Sequence, residues 1–144
     1  MKKLLIPTMI VCAISVLAPF QNAIANGDSE CVVLQLDHKA GQTPLQDITY
    51  TMHEQIIGYT MQVYGSGLNT CNKQYLDSLT TLVGKEVKKV KQTLKSKESK
   101  EDVVTMYVNW VTYLKSINEI DKNGNSELKG KYDAAVVKLE MDLL

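Results

Sequence analysis

The stretch EDVVTMYVNWVTYLKSI, residues 101–117, decides how this chain folds. Val103, Tyr107, Trp110, Leu114 and Ile117 recur at alternating spacings of four and three, which places them on one face of an α-helix and on both faces of a strand. Val104, Met106, Val108, Val111 and Tyr113 widen that face, so the helix is expected to be covered on more than one side and to sit at the centre of the fold. Ser99 followed by Asp102 has the pattern of a capping box with Asp in place of Glu, and marks the expected start.

The same period extends in both directions. Upstream, Tyr75, Leu76, Leu79, Val83, Val87, Val90 and Leu94 continue a stripe from about Leu68, predicting the longest helix of the chain. Before it, Thr43 and Pro44 have cap and first-turn chemistry, Leu45, Ile48, Met52, Ile56, Tyr59 and Val63 follow at threes and fours, and Gly65-Ser66-Gly67 is the expected stop. A short leading helix is expected in SECVVLQLDHKAG, residues 29–41, with Ser29 as N-cap, Val33, Leu36 and Ala40 on one side and Gly41 as the stop; its contiguous apolar residues leave a short strand as the alternative. Downstream, a helix from Ser126 aligns Leu128, Tyr132, Ala135, Val136, Leu139 and Leu143. The expected fold is therefore all-α, a small antiparallel bundle of four main helices plus a short N-terminal one.

Residues 1–25 read differently. Lys2 and Lys3 precede an apolar run from Leu4 to Phe20, and Ala23-Ile24-Ala25 has the form of a signal-peptidase site, so a cleaved secretory signal is expected, with the mature domain at 26–144 and no membrane anchor. Two prolines, Pro7 and Pro19, and the absence of a charged flank oppose a membrane helix. Cys12 lies inside the apolar run and follows Val11, which opposes a lipoprotein. The compartment is then periplasmic or extracellular, and Cys31 and Cys71 form an even pair in oxidising surroundings, where a disulfide bond is the default.

Removing Lys2 and Lys3 from the 16 basic residues leaves 14 lysines against 16 acids. No arginine is present, so there is no planar fork for bidentate phosphate or guanine recognition, and nucleic acid is excluded as a partner. Residues 73–97 carry seven lysines and two acids. Lys85, Lys88, Lys89 and Lys91 are the candidate contacts for an acidic partner, against the alternative that they merely solvate a surface helix.

Catalytic chemistry is hard to place. His38 and His53 have no second ligand at a metal-binding spacing, no serine carries a nucleophile signature, and the methionines read as core, so no enzyme and no cofactor is expected. One segment stands apart. DKNGNSELKGKY, residues 121–132, resembles an EF-hand loop: Asp121, Asn123 and Asn125 fall at positions one, three and five, and Glu127 can offer its backbone carbonyl at position seven. Ser126, Lys129 and Tyr132 occupy the places of the loop's glycine, its ninth ligand position and its bidentate glutamate. The alternative is a plain turn, with Asn123-Gly124 stopping one helix and Ser126 capping the next.

Residues 71–116, with Cys71, a long leucine-bearing helix and then Trp110 and Tyr113 as W-x-x-Y, resemble lysozyme-inhibitor-like (LprI-type) secreted helical domains. The family pattern has Arg after the aromatic and a further cysteine, where this chain has Leu114 and none. The resemblance implies a secreted inhibitor of a cell-wall hydrolase. Export, small size and polar loops at 65–67 and 121–125 point toward a non-enzymatic protein-binding module, an inhibitor or immunity protein acting on an envelope hydrolase or toxin. The alternatives are a periplasmic chaperone or assembly accessory, which would form weak homodimers, and a weak calcium-binding module. Whether Tyr59, Tyr64 and Tyr75 are core or interface is open at this stage.

Overall fold

The computed structural model describes residues 36, 38, 40–118 and 120–141. The signal segment, Ser29, Cys31, Val33 and Leu143 lie outside the described residues. Four α-helices follow one another: α1 (Pro44–Ser66), α2 (Thr70–Thr93), α3 (Lys97–Ser116) and α4 (Ser126–Met141). Of the expected leading helix, Leu36, His38, Ala40 and Gly41 are described and none is helical; Gly41 has φ 85°. Thr43 and Pro44 explain why helix begins only there.

Each start is fixed by a side chain. Thr43 Oγ1 accepts from the Gln46 amide at 3.3 Å while Gln46 Oε1 accepts from the Thr43 amide at 3.0 Å, a complete capping box, and Pro44 supplies the first turn. Asn69 caps α2 through the Asn72 amide at 2.8 Å, so this helix starts two residues later than Leu68. α3 starts earlier than the Ser99–Asp102 pattern suggests. Ser96 is the N-cap, accepting from the Ser99 amide at 2.9 Å, and Ser99 is buried in the first turn with its hydroxyl 2.7 Å from that of Ser96. The cap of α4 is Asn125, whose Oδ1 accepts from the Leu128 amide at 3.1 Å, and Ser126 is the first helical residue.

Sequential helices run antiparallel. Tyr75 of α2 stacks on Tyr59 of α1, rings 6.3 Å apart and 3° from parallel, and its hydroxyl donates to Gln55 Oε1 at 2.7 Å. Between α2 and α3 the Tyr107 hydroxyl donates to the Thr80 carbonyl at 2.9 Å. A Cβ on Gly84 would lie 2.8 Å from the Tyr107 hydroxyl oxygen, so a larger residue there would have to displace the ring from its bond to Thr80. Lys138 of α4 reaches Asp102 at 2.6 Å and Glu98 at 3.3 Å near the start of α3. α1 and α3 run parallel, joined where the buried Trp110 indole donates to the Met52 carbonyl at 2.9 Å. α3 thus touches all three other helices, the central position its wide apolar face predicts.

The core follows the expected stripes: Ile48, Met52, Ile56, Tyr59 and Val63 of α1, Leu76, Leu79, Val83, Val87 and Val90 of α2, Val103, Met106, Trp110, Tyr113 and Leu114 of α3 with Ile117, and Tyr132 and Leu139 of α4, whereas Tyr107 is half-buried and Val104 and Val108, expected to widen the α3 face, are exposed. The tyrosine question resolves by position. Tyr59 is buried, Tyr75 is half-buried with its hydroxyl pushed up to about 12 by desolvation, and Tyr64, one residue past the buried Val63, points outward.

Candidate binding surface

The α3–α4 connection, described at residues 117, 118 and 120–125, holds an organised polar cluster. Asn118 Oδ1 accepts from the amides of Ile120 and Asp121 at 2.9 and 2.8 Å, its Nδ2 donates to the Ser116 carbonyl at 3.0 Å, and its own amide donates to the Asp121 carbonyl at 3.0 Å. The Asp121 carbonyl also accepts from the Gly124 amide at 3.1 Å, closing a turn. Two core-anchored groups hold the far side. The Tyr113 hydroxyl donates to the Asn123 carbonyl at 2.7 Å, and Ser116 Oγ accepts from the Asn125 amide at 2.9 Å while donating to the Tyr113 carbonyl at 2.6 Å.

Gly124 sits buried beneath this arch at φ 69°. A Cβ there would come within 2.9 Å of Ile117, Ser116 and Tyr113 side-chain atoms, so the site accepts only glycine, both for space and for the left-handed backbone. What the arch carries at its tip is Ile120, 99% exposed. A single exposed aliphatic residue is ordinary on a protein surface. Here the backbone beneath it is held by side-chain hydrogen bonds, so the cost of ordering that tip is met by folding and not by binding. Lys122 extends from the same loop over the exposed Tyr64 ring at 4.7 Å, bringing the tip beside the end of α1.

Of the four positions of the EF-hand-like pattern, Asn125 spends its side-chain oxygen on the α4 cap and Glu127 lies in the first turn of α4, while the bonds at Asp121 and Asn123 use their carbonyls and not the side-chain oxygens a cation would take. Asp121 accepts two backbone amides through its carbonyl, the Asn123 carbonyl accepts from Tyr113, Asn125 Oδ1 caps α4, and the Glu127 carboxylate lies 2.7 Å from Lys131 Nζ in the first turns of α4. That lysine lowers the Glu127 carboxyl below its ordinary range. Lys129 pairs with Asp133 at 2.7 Å. Among the described residues no three His, Cys, Asp or Glu side chains converge to hold a metal ion.

Lys85, Lys88, Lys89 and Lys91 all project from α2 opposite or beside its buried stripe, and all are exposed. Lys89 pairs with Glu86 at 2.7 Å, whereas Lys85, Lys88 and Lys91 make no ion pair among the described residues. Lys89 and Glu86 also line a groove of about 360 Å³ between the end of α2 and the start of α1, whose floor is Leu36, Ile48 and Val90. At its mouth His38 Nδ1 lies 2.6 Å from Asp47 Oδ2, and this hydrogen bond raises the His38 pKa above 6.5. The groove is shallow and opens to solvent, and lysines and loop tip lie on different elements. Cys71 is half-buried in the first turn of α2; Cys31 is outside the described residues.

Asn118, Ser116 and Ile120 carry no sequence signature of binding. The available signal was Asn118 ahead of Asn123-Gly124, a run of turn formers longer than a simple connection needs. Among the described residues no helix is long and apolar enough to cross a membrane. Comparison with family models, with curated proteins and with solved structures finds no match to this chain.

Proposed function

We propose that this chain is an exported binding protein that acts without catalysis, an inhibitor or immunity protein that blocks a cell-envelope hydrolase or toxin by seating the 117–125 loop in its cleft. The observation that carries this reading is the pre-organised arch with Ile120 at its tip. A hydrogen-bonded loop with an exposed apolar tip is complementary to the concave, largely apolar cleft of an enzyme. Its anchors reach directly into the core through Tyr113, which ties loop position to bundle stability.

Export is supported by residues 1–25, with the A-x-A site at 23–25. In that compartment Cys71 would pair with Cys31 and staple the N-terminal segment to α2. The likeness of Cys71, Trp110 and Tyr113 to the LprI-type pattern supports the same class of target; in this fold Trp110 and Tyr113 are buried, so they would maintain the bundle while the loop makes the contact. The test is a cell-wall clearing assay, in which envelope extract digests purified peptidoglycan with and without the processed, oxidised protein. Inhibition that disappears with Ile120→Asp is expected. Unchanged clearing across envelope extracts and toxin challenge, or equal inhibition by Ile120→Asp, would remove the proposal.

A further inference from the structure

α1 exposes a second apolar feature that the loop does not explain. Tyr50, Ile57, Met61 and Tyr64 are 37, 47, 69 and 58% exposed, and their spacings of seven, four and three place them on one outward stripe, opposite the buried one. Two tyrosines flank Ile57 at equal distances. Tyr50 and Tyr64 lie seven residues to either side, His53 and Met61 four, Glu54 and Thr60 three. Across a two-fold axis at Ile57 each residue meets the one equally far on the other side, so the tyrosines meet each other, His53 meets Met61 and Glu54 meets Thr60.

We propose that the outer face of α1 is the contact between two copies of this chain, packed antiparallel with the two-fold axis at Ile57. Tyr50 of one copy then packs beside Tyr64 of the other, and Met61 beside His53. Charge favours this face over its neighbour. α1 contains no lysine, so its own titratable flanks are His53 and Glu54 and the cation beside the stripe is Lys122, already seated on Tyr64 at its end, whereas the outer face of α2 would oppose Lys85 and Lys88 to their own copies. The exposed parts of the four side chains amount to about 450 Å² per copy, so a symmetric pair that covered all of them would bury about 900 Å², and rim residues must add the rest of the ~1,000 Å² that a specific interface should clear. The expected dimer is accordingly weak. Because Lys122 lies on Tyr64, the two Ile120 loops would sit at opposite ends of the paired helices and remain open to their target.

The test combines sedimentation with cross-linking of the processed, oxidised protein. Sedimentation is expected to show a monomer–dimer equilibrium with a midpoint on the order of 10 µM, shifted at least tenfold upward by Ile57→Asp while helical content is unchanged. Ile57→Cys, at the axis, should form a covalent dimer on oxidation, and a mixture of Tyr50→Cys and Tyr64→Cys chains should form mixed dimers more readily than either alone. A Lys85→Cys chain should not. A monomer throughout overturns the pairing: if the thiol introduced by Ile57→Cys is shielded from maleimide, the stripe is covered by the chain's own N-terminal residues, and if that thiol is fully labelled, the stripe is left to a foreign partner. A dimer unaffected by Ile57→Asp overturns it as well.

Discussion

Replacing Gly124 by Ala tests the arch at its tightest point. The residue has φ 69°, where an L side chain strains the backbone, and the new Cβ would lie within 2.9 Å of Ile117 Cγ1, Ser116 Oγ and Tyr113 Cε2. Left-handed backbone costs alanine about 1 kcal/mol relative to glycine. Ser116 Oγ must move, and it holds two hydrogen bonds, to the Asn125 amide and the Tyr113 carbonyl, each worth about 1 kcal/mol. The expected loss is therefore about 3 kcal/mol, or a fall of roughly 10 °C in Tm for a domain of this size. Urea unfolding followed by the fluorescence of the single tryptophan, the buried Trp110, measures it. Gly65→Ala is the control: it lies in the last turn of α1 with nothing within 4 Å of the new Cβ, so it should be neutral or stabilise by up to ~1 kcal/mol. A Gly124→Ala protein within about 0.5 kcal/mol of the parent would show that the loop is not held as described.

Three further outcomes are expected. If Cys31 and Cys71 are bridged, changing either to Ser should cost about 4 kcal/mol through the loop of chain released, and equal stability of oxidised and reduced protein would exclude the bridge. His38 should titrate above 6.5 by NMR because it donates to Asp47 when protonated, and Asp47→Asn should return it toward 6.5; an unmoved pKa would deny the contact. Since that pKa is raised in the folded state, its contribution is complete below the unfolded value, 6.5, and is lost as pH rises through the folded pKa; His38 is well exposed, so the effect on stability is small. Calorimetric titration with calcium should show no saturating site at millimolar ion, because the Asn125 side-chain oxygen caps α4 and Glu127 is held in the first turn of that helix. Saturation at one ion per chain that is lost with Asp121→Ala would restore the EF-hand alternative.

The four helices and nearly all of the core were legible because burial repeats at threes and fours over twenty residues, a signal that local chemistry does not blur. Ile48 through Val63 and Leu76 through Val90 are buried in the register their spacing dictates. Helix starts were less legible where several residues can cap. Ser96, Ser99, Asn125 and Ser126 all suit an N-cap, and the choice depends on which hydroxyl or amide the tertiary fold orients; Ser99 is drawn inside, leaving Ser96 as the cap. The leading helix failed at its described end because Thr43 and Pro44 start their own helix so close behind it. The candidate surface was least legible. The turn at 121–125 could be read from Asn-Gly, but the arch depends on Asn118, Ser116 and Tyr113, which reach it from outside the turn. The spacing that resembles a calcium loop arises because capping and turn chemistry favour the same oxygen-bearing residues as a hard cation.

Site-specific photo-cross-linking from position 120 tests most directly whether the loop is the contact surface. A photo-reactive residue replacing Ile120 in the processed protein, irradiated in envelope extract, should give one discrete heterologous adduct, competed away by unlabelled protein and weakened in the Gly124→Ala background. The same probe at Lys85, on the exposed face of α2, should give none. An adduct from position 85 with none from position 120 would contradict the account and move the contact surface to the basic helix.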